Sequence, residues 1–234
     1  MNAIVKKELR VYFNTPIAWV FIAVLMCVSG LFFTLFNLFM ANPSVNVIFS
    51  SLPLVFVIMI PLLTMRLFSE ERALKTDQLL LTSPISVASI VWGKFLAAVM
   101  VFGVAIVLML IYPIILNIYS DVSWGIVFTN NVGFFLLGSA LISIGIFISS
   151  LTENQFTAGI ITIATLLIMF LLSGISVSSG YAVVDKIIAY IGILKSFDSF
   201  YIGLFNVVDI MYYVSIIIIF IMLTVYRIER RRVK

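Results

Sequence analysis

The chain is predicted to be an all-α integral membrane protein with six transmembrane helices in one domain over residues 1–234. Three observations carry that expectation. Apolar residues make up 63% of the 234 and charged residues only 10%, against about 45–50% and about 25% in soluble domains. A soluble fold of this size has too little interior to hide that much apolar surface from water. Six apolar stretches come close to the roughly 20 residues that a helix needs to cross the hydrocarbon core. With both chain ends placed in the cytosol, twelve lysines and arginines fall on that side and only Lys186 and Lys195 on the other. That asymmetry obeys the positive-inside rule, and five or seven spans scatter it.

The elements follow in order. Residues 1–14, MNAIVKKELRVYFN, put Val5, Leu9, Tyr12 and Phe13 on one side of a helix and Lys6, Lys7, Glu8 and Arg10 on the rest. This is an amphipathic helix lying in the interface with its basic face toward lipid headgroups. Thr15-Pro16 breaks it. Span one runs from Pro16 to Met40 without a charge, too long for a signal-peptide core, with Trp19 at the interface. Span two, Val47 to Met65, contains Pro53 and Pro61 and is expected to kink at both.

Residues 66–84, RLFSEERALKTDQLLLTSP, form the most polar interior segment. Ser69 is placed to cap a helix, with Glu70 and Glu71 in its first turn where the dipole favours acids. Leu67, Leu74, Gln78 and Leu81 recur at helical spacing, and Ser83-Pro84 stops the run. The expectation is a short cytosolic helix with Glu70, Glu71, Arg72, Lys75 and Asp77 on an exposed face. Leu74 and Gln78 are its candidate groove contacts for a soluble partner.

Span three covers Ile90 to Leu116, with Trp92 and Lys94 near its cytosolic end, and Asp121 and Trp124 belong to the following loop. Span four, Asn131 to Leu151, carries Gly138, Ser139, Ala140, Ser143, Gly145 and Ser149, a composition that allows close helix packing. A tight turn, SSLTENQ over 149–155, leads to span five, Asn154 to Ser173. In the outer region 174–209, the apolar stretches IIAYIGIL and Ser199 to Val208 are too short to span and are expected to be re-entrant or interfacial. Span six, Ile210 to Tyr226, ends at Arg227, Arg230, Arg231, Arg232 and Lys234.

Much chemistry is excluded. The chain has no histidine, and Cys27 is its only cysteine, which removes His-based catalysis, thiolate metal sites and disulfides. Gly93-Lys94 lacks the upstream glycine and the following Ser or Thr of a phosphate-binding loop. Glu70 and Glu71 are adjacent on a helix and do not face each other as a catalytic dyad. The basic residues flank spans, where topology and anionic lipid account for them, so nucleic acid is not an expected partner. No catalytic, cofactor-binding or metal-binding residue is expected. The spans lack the mid-depth ionisable groups that ion-coupled carriers use. Energy for any uphill movement therefore enters from the cytosolic side through a partner.

Several strings carry a family resemblance. They are Met65-Arg66-Leu67-Phe68-Ser69-Glu70-Glu71-Arg72, Leu79-Leu80-Leu81-Thr82-Ser83-Pro84-Ile85-Ser86 and Gly93-Lys94-Phe95. The turn Ser150-Leu151-Thr152-Glu153-Asn154-Gln155 follows, and then Gly203, Asn206 and Asp209 ahead of Tyr212-Tyr213. In this order they resemble ABC-2-type transporter permeases, and most of all the small gliding-motility-type permeases. The resemblance implies two permeases, two copies of this chain or this chain with a paralogue, bound to two P-loop ATPase subunits that hold ATP and Mg. It implies that segment 69–82 is a coupling helix docking into the ATPase, that outer re-entrant helices around 178–208 cap a pathway, and that spans two and five line it. The chain departs from the family at Lys75, where glycine is frequent, at Ser196, where a histidine is frequent, and at Asn206, which replaces an acid.

The reading is a multi-pass inner-membrane permease with both termini cytosolic. It would export an amphipathic or lipid-like substrate or a peptide by alternating access, while a separate ATPase does the catalysis. The alternative is a non-transporting membrane anchor for an ATPase that does mechanical or regulatory work.

Overall fold

The computed structural model describes residues 2–40, 44, 46–76, 86–174 and 192–232. They are helical nearly throughout, and no strand occurs among them. The helices are α1 (Asn2–Asn14), α2 (Pro16–Phe32), α3 (Asn46–Thr64), α4 (Arg66–Ala73), α5 (Val87–Met109), α6 (Ile111–Tyr119), α7 (Trp124–Leu151), α8 (Gln155–Gly174), α9 (Asp198–Tyr201) and α10 (Val207–Arg232), with a π-helical segment, Phe33–Phe39, continuing α2. Among the described residues, six spans are long and apolar enough to cross a membrane: Pro16–Phe39, Phe49–Ala73, Val87–Tyr119, Trp124–Leu151, Gln155–Gly174 and Val207–Arg231.

Local chemistry sets the boundaries. Thr15 ends α1, its hydroxyl donating to the Val11 carbonyl, and its extended backbone delivers Pro16 to the first turn of α2, where a missing N–H costs nothing. Trp19 donates its indole N–H to the Phe13 carbonyl and fastens the corner. The helix α3 runs unbroken through Pro53 and Pro61. Span three breaks at Leu110, whose N–H turns back to the Val107 carbonyl. Asn206 caps α10 by accepting the Val208 N–H at 3.1 Å.

The centre of the bundle is α7, whose spanning window is 78% buried against 22% in α8 and 22% in α10. Its small residues act as expected. A Cβ on Gly133 would meet the Phe200 ring at 2.7 Å, on Gly138 the Phe102 ring at 2.1 Å, and on Gly145 the Thr64 hydroxyl at 2.3 Å. Phe56 stands edge-on to both Phe102 and Phe134, and Phe134 meets Phe49 and Phe197, so rings connect the middle of the bundle to α9.

Three sequence expectations need correction. The segment after span two does not start at a Ser69 cap: its helix begins at Arg66, separated from α3 by Met65 alone. Ser69 is fully buried, with its hydroxyl donating to the Met65 carbonyl. Trp124 is not in a loop but opens α7, seven residues before the expected start of span four. The last span extends at both ends, beginning at Val207 and remaining helical through the basic cluster to Arg232. Of the outer region, only residues 192–206 lie between α8 and α10 among those described. They form turns and α9, with Phe197 and Phe200 buried.

Candidate functional site

The charged groups that the sequence scatters along the chain converge at the end of the bundle that carries both termini. Three elements meet there around Lys94, eight residues into α5 and 2% exposed. Its ammonium lies 2.8 Å from Glu71 of α4 and 3.2 Å from Glu8 of α1, and donates to the Leu67 carbonyl at 2.7 Å. A fourth neighbour is the Phe68 ring, whose centroid lies 5.1 Å away. Lys7 approaches both carboxylates at 3.6 Å from the surface. A buried ammonium needs such compensation for its lost hydration.

The contacts continue along α1. The buried Tyr12 hydroxyl donates to the Leu63 carbonyl at 2.6 Å, at the end of α3. Burial, and then the neighbouring Glu8 carboxylate, push the Tyr12 phenol well above its ordinary range, while Arg66 pulls it back. Arg66 lies 5.8 Å from the Tyr12 ring and 3.5 Å from Glu70. The buried face of α1 is thus Val5, Glu8 and Tyr12. Glu8, expected among the solvated charges, belongs to the packed side.

On its other side α4 is fixed to the α7–α8 turn. Arg72 pairs with Glu153 at 2.9 Å and donates to the carbonyls of Ser150 and Thr152. The Ser149 hydroxyl donates to the Met65 carbonyl and accepts the N–H groups of Phe68 and Ser69. A half-open cavity of about 280 Å³ between α1 and α4 is bounded by Lys7, Glu8, Arg66, Glu70, Glu71 and Lys94.

The expected docking face is therefore divided. Glu70 is partly exposed and pairs with Arg66. Glu71 and Arg72, expected to face outward, turn into the body, with side chains 16% and 8% exposed. Leu74 is 66% exposed, and Lys75 and Thr76 are exposed beside it. Asp77 and Gln78 lie outside the described residues. Lys75 has φ +57, the left-handed region in which glycine is favoured. There its N–H bonds to the Arg72 carbonyl and the Thr76 N–H to the Glu71 carbonyl, a Schellman stop at the glycine position.

At the opposite end, Gly203 has φ +86 and ends α9 in the same way, with the N–H of Leu204 bonded to the Ser199 carbonyl. Asp209 stands in the first turn of α10, 9% exposed, where the helix dipole favours its charge.

Glu8 and Lys94 are the members that sequence reasoning missed as a site. The available signals were one acid in an otherwise basic helix and one lysine inside an apolar run. Among the described residues no three metal-ligating side chains come together. The arrangement ties helices to one another.

No curated protein matches the sequence. Residues 35–228 match the family described as ABC-2 family transporter protein. The match contains Glu71, Arg72, Lys94 and Glu153 and leaves out α1. It accords with the six spans, and an ABC-2 permease works with an ATP-binding cassette ATPase. The chain belongs to the ABC-2 family of transporter proteins and is a multi-pass membrane permease subunit.

Proposed function

We propose that this permease is half of the membrane pathway of an ATP-driven exporter in the inner membrane, with both termini in the cytosol, and that α4 is the lever through which the ATPase drives it. Two permeases, copies of this chain or paralogues, would pair with two ATPase subunits that bind ATP and Mg. The observation that carries this reading is the fixing of α4. Lys94 ties it to α1 and α5, Arg72 and Ser149 tie it to the α7–α8 turn, and only Met65 separates it from span two. A push at Leu74–Thr76 then moves the ends of several spans together, because packed helices shift as rigid bodies.

ATP binding would draw the two ATPase subunits together, move both levers and open the pathway outward; hydrolysis would reset it. The residues for partner contact are Glu70, Leu74 and Lys75, together with Asp77 and Gln78. Glu71 and Arg72 act behind them as transmitters. The apolar spans suit an amphipathic or lipid-like substrate or a peptide.

The test is the pair Leu74→Glu and Lys75→Glu, which alter exposed positions. In the purified complex, ATPase stimulation and ATP-driven substrate loss from proteoliposomes should fall while the permease keeps its unfolding midpoint. Wild-type coupling in the double variant would overturn the lever.

A further inference from the structure

Span three does not end as one continuous helix. Pro113 has no N–H to offer the Met109 carbonyl, and a proline ring crowds the carbonyl four residues before it. The break falls one turn ahead of Pro113, at Leu110, and α6 continues from there as a separate segment of nine residues. That segment meets the bundle along one side only. Tyr112, Pro113 and Leu116 are buried, whereas Ile118 is 74% and Tyr119 80% exposed. A segment with so few buried contacts opens at lower cost than the core does.

Tyr112 makes a polar contact across the break. Its hydroxyl, just past Leu110, donates to the Met26 carbonyl of α2 at 2.7 Å and lies 3.1 Å from the Ser29 hydroxyl. Met26 and Ser29 belong to the packed part of α2, next to the buried Leu25. The Tyr112 and Phe33 ring centroids are 5.2 Å apart, at the point where α2 widens into its π-helical segment. Gly30 leaves room for this approach, since a Cβ there would lie 3.2 Å from the Tyr112 hydroxyl oxygen. Both spans thus depart from regular α-helix at the level where they touch. Such π-helical turns recur at functional sites.

We propose that α6 is a hinged arm, that the hinge is the Leu110–Pro113 break, and that the Tyr112–Met26 hydrogen bond is the latch holding the arm against span one. The hinge sits where the helix ladder is already interrupted, so the swing gives up the latch and the packing of Tyr112 and Leu116 but no long run of backbone bonds. Release opens the space between spans one and three at the end away from Lys94. The device belongs to this chain alone and stands independently of the role assigned to α4.

The test reads the arm against α10 with spin labels at Ile118→Cys and Val208→Cys in a Cys27→Ser background. Distances are measured by pulsed dipolar spectroscopy in lipid nanodiscs, with the labelled full chain diluted in unlabelled chain. A second pair, Phe135→Cys and Val208→Cys, reads α7 against α10 as the control. The expected result for 118–208 is a dominant distance from the latched arm and a minor one from the released arm. Tyr112→Phe keeps the ring and removes the hydroxyl. It should raise the ratio of released to latched arm about three- to tenfold, the weight of one hydrogen bond, and leave 135–208 unchanged. Pro113→Ala returns an N–H to the Met109 carbonyl and should leave a single distance, also when combined with Tyr112→Phe. A 118–208 distribution that Tyr112→Phe does not change overturns the latch. So does one that broadens together with 135–208, which is general loosening. A released distance that persists in Pro113→Ala overturns the hinge.

Discussion

Replacing Lys94 with methionine removes one cation from between two carboxylates that stay behind. Glu71 lies 2.8 Å and Glu8 3.2 Å from its ammonium. At an effective dielectric of about 20, such contacts are worth about 6 and 5 kcal/mol before desolvation. Desolvation takes back several kcal/mol per ion, so the intact cluster adds little net stability. Deleting one member is different, because the remaining charges stay buried without a partner, at about 3–5 kcal/mol. Lys7, at 3.6 Å from both carboxylates and 56% exposed, compensates in part. The expected loss is about 3 kcal/mol. Combining Lys94→Met with Glu8→Gln and Glu71→Gln removes the buried charges, leaving only the exposed Lys7, and should restore most of the loss. Denaturant unfolding in lipid nanodiscs compares the unaltered chain with the single and the triple variant. A Lys94→Met shift below about 1 kcal/mol, or a triple variant no more stable than the single one, would refute this account of the cluster.

The remaining predictions concern smaller features. Lys75→Gly removes a side chain from a left-handed position and should stabilise the permease by about 0.5–1 kcal/mol, after the extra entropy of glycine in the unfolded chain is offset. The same unfolding assay reads it. Ser149→Ala removes the hydroxyl that joins α7 to the N–H groups of Phe68 and Ser69 and to the Met65 carbonyl and should cost about 1–3 kcal/mol, together with faster hydrogen exchange at those two amides. Burial raises the Asp198 carboxyl above its usual range, and Lys195 only partly opposes this. The folded state therefore holds that proton more tightly than the unfolded state does. Its contribution is greatest below the ordinary carboxylate range and is lost as pH rises through the raised value. Asp198→Asn should flatten that part of the stability–pH curve.

The spans were legible because each carries a long apolar run, a signal local in sequence. The small residues of α7 also kept their sequence meaning: Gly138 and Gly145 sit under Phe102 and Thr64. Ends were read less well. Residues 124–130 mix Trp, Gly, Thr and Asn, which looks like a loop, yet this stretch forms the first two turns of the 28-residue α7. The charged site was the least legible part. Glu8, Glu71 and Lys94 lie on three helices far apart in sequence, so no local spacing announces their meeting. Glu71 and Arg72 looked solvated from neighbouring residues alone, and only the packing of α1 and the α7–α8 turn against α4 draws them inward. The Lys75 departure from glycine found its meaning in backbone geometry, as the left-handed residue that stops α4.

The most direct measurement places a cysteine at Leu74 in a Cys27→Ser background and crosslinks in native membranes with a short bifunctional reagent. A cysteine at Val208, 71% exposed at the opposite end, is the control. The expected result is an adduct between position 74 and an ATP-binding cassette ATPase, whose yield changes when ATP is added and which is missing at 208. A folded permease that gives no ATPase adduct at 74, or the same adduct at both positions, would contradict the role of α4 as the point where ATP-driven motion enters the membrane.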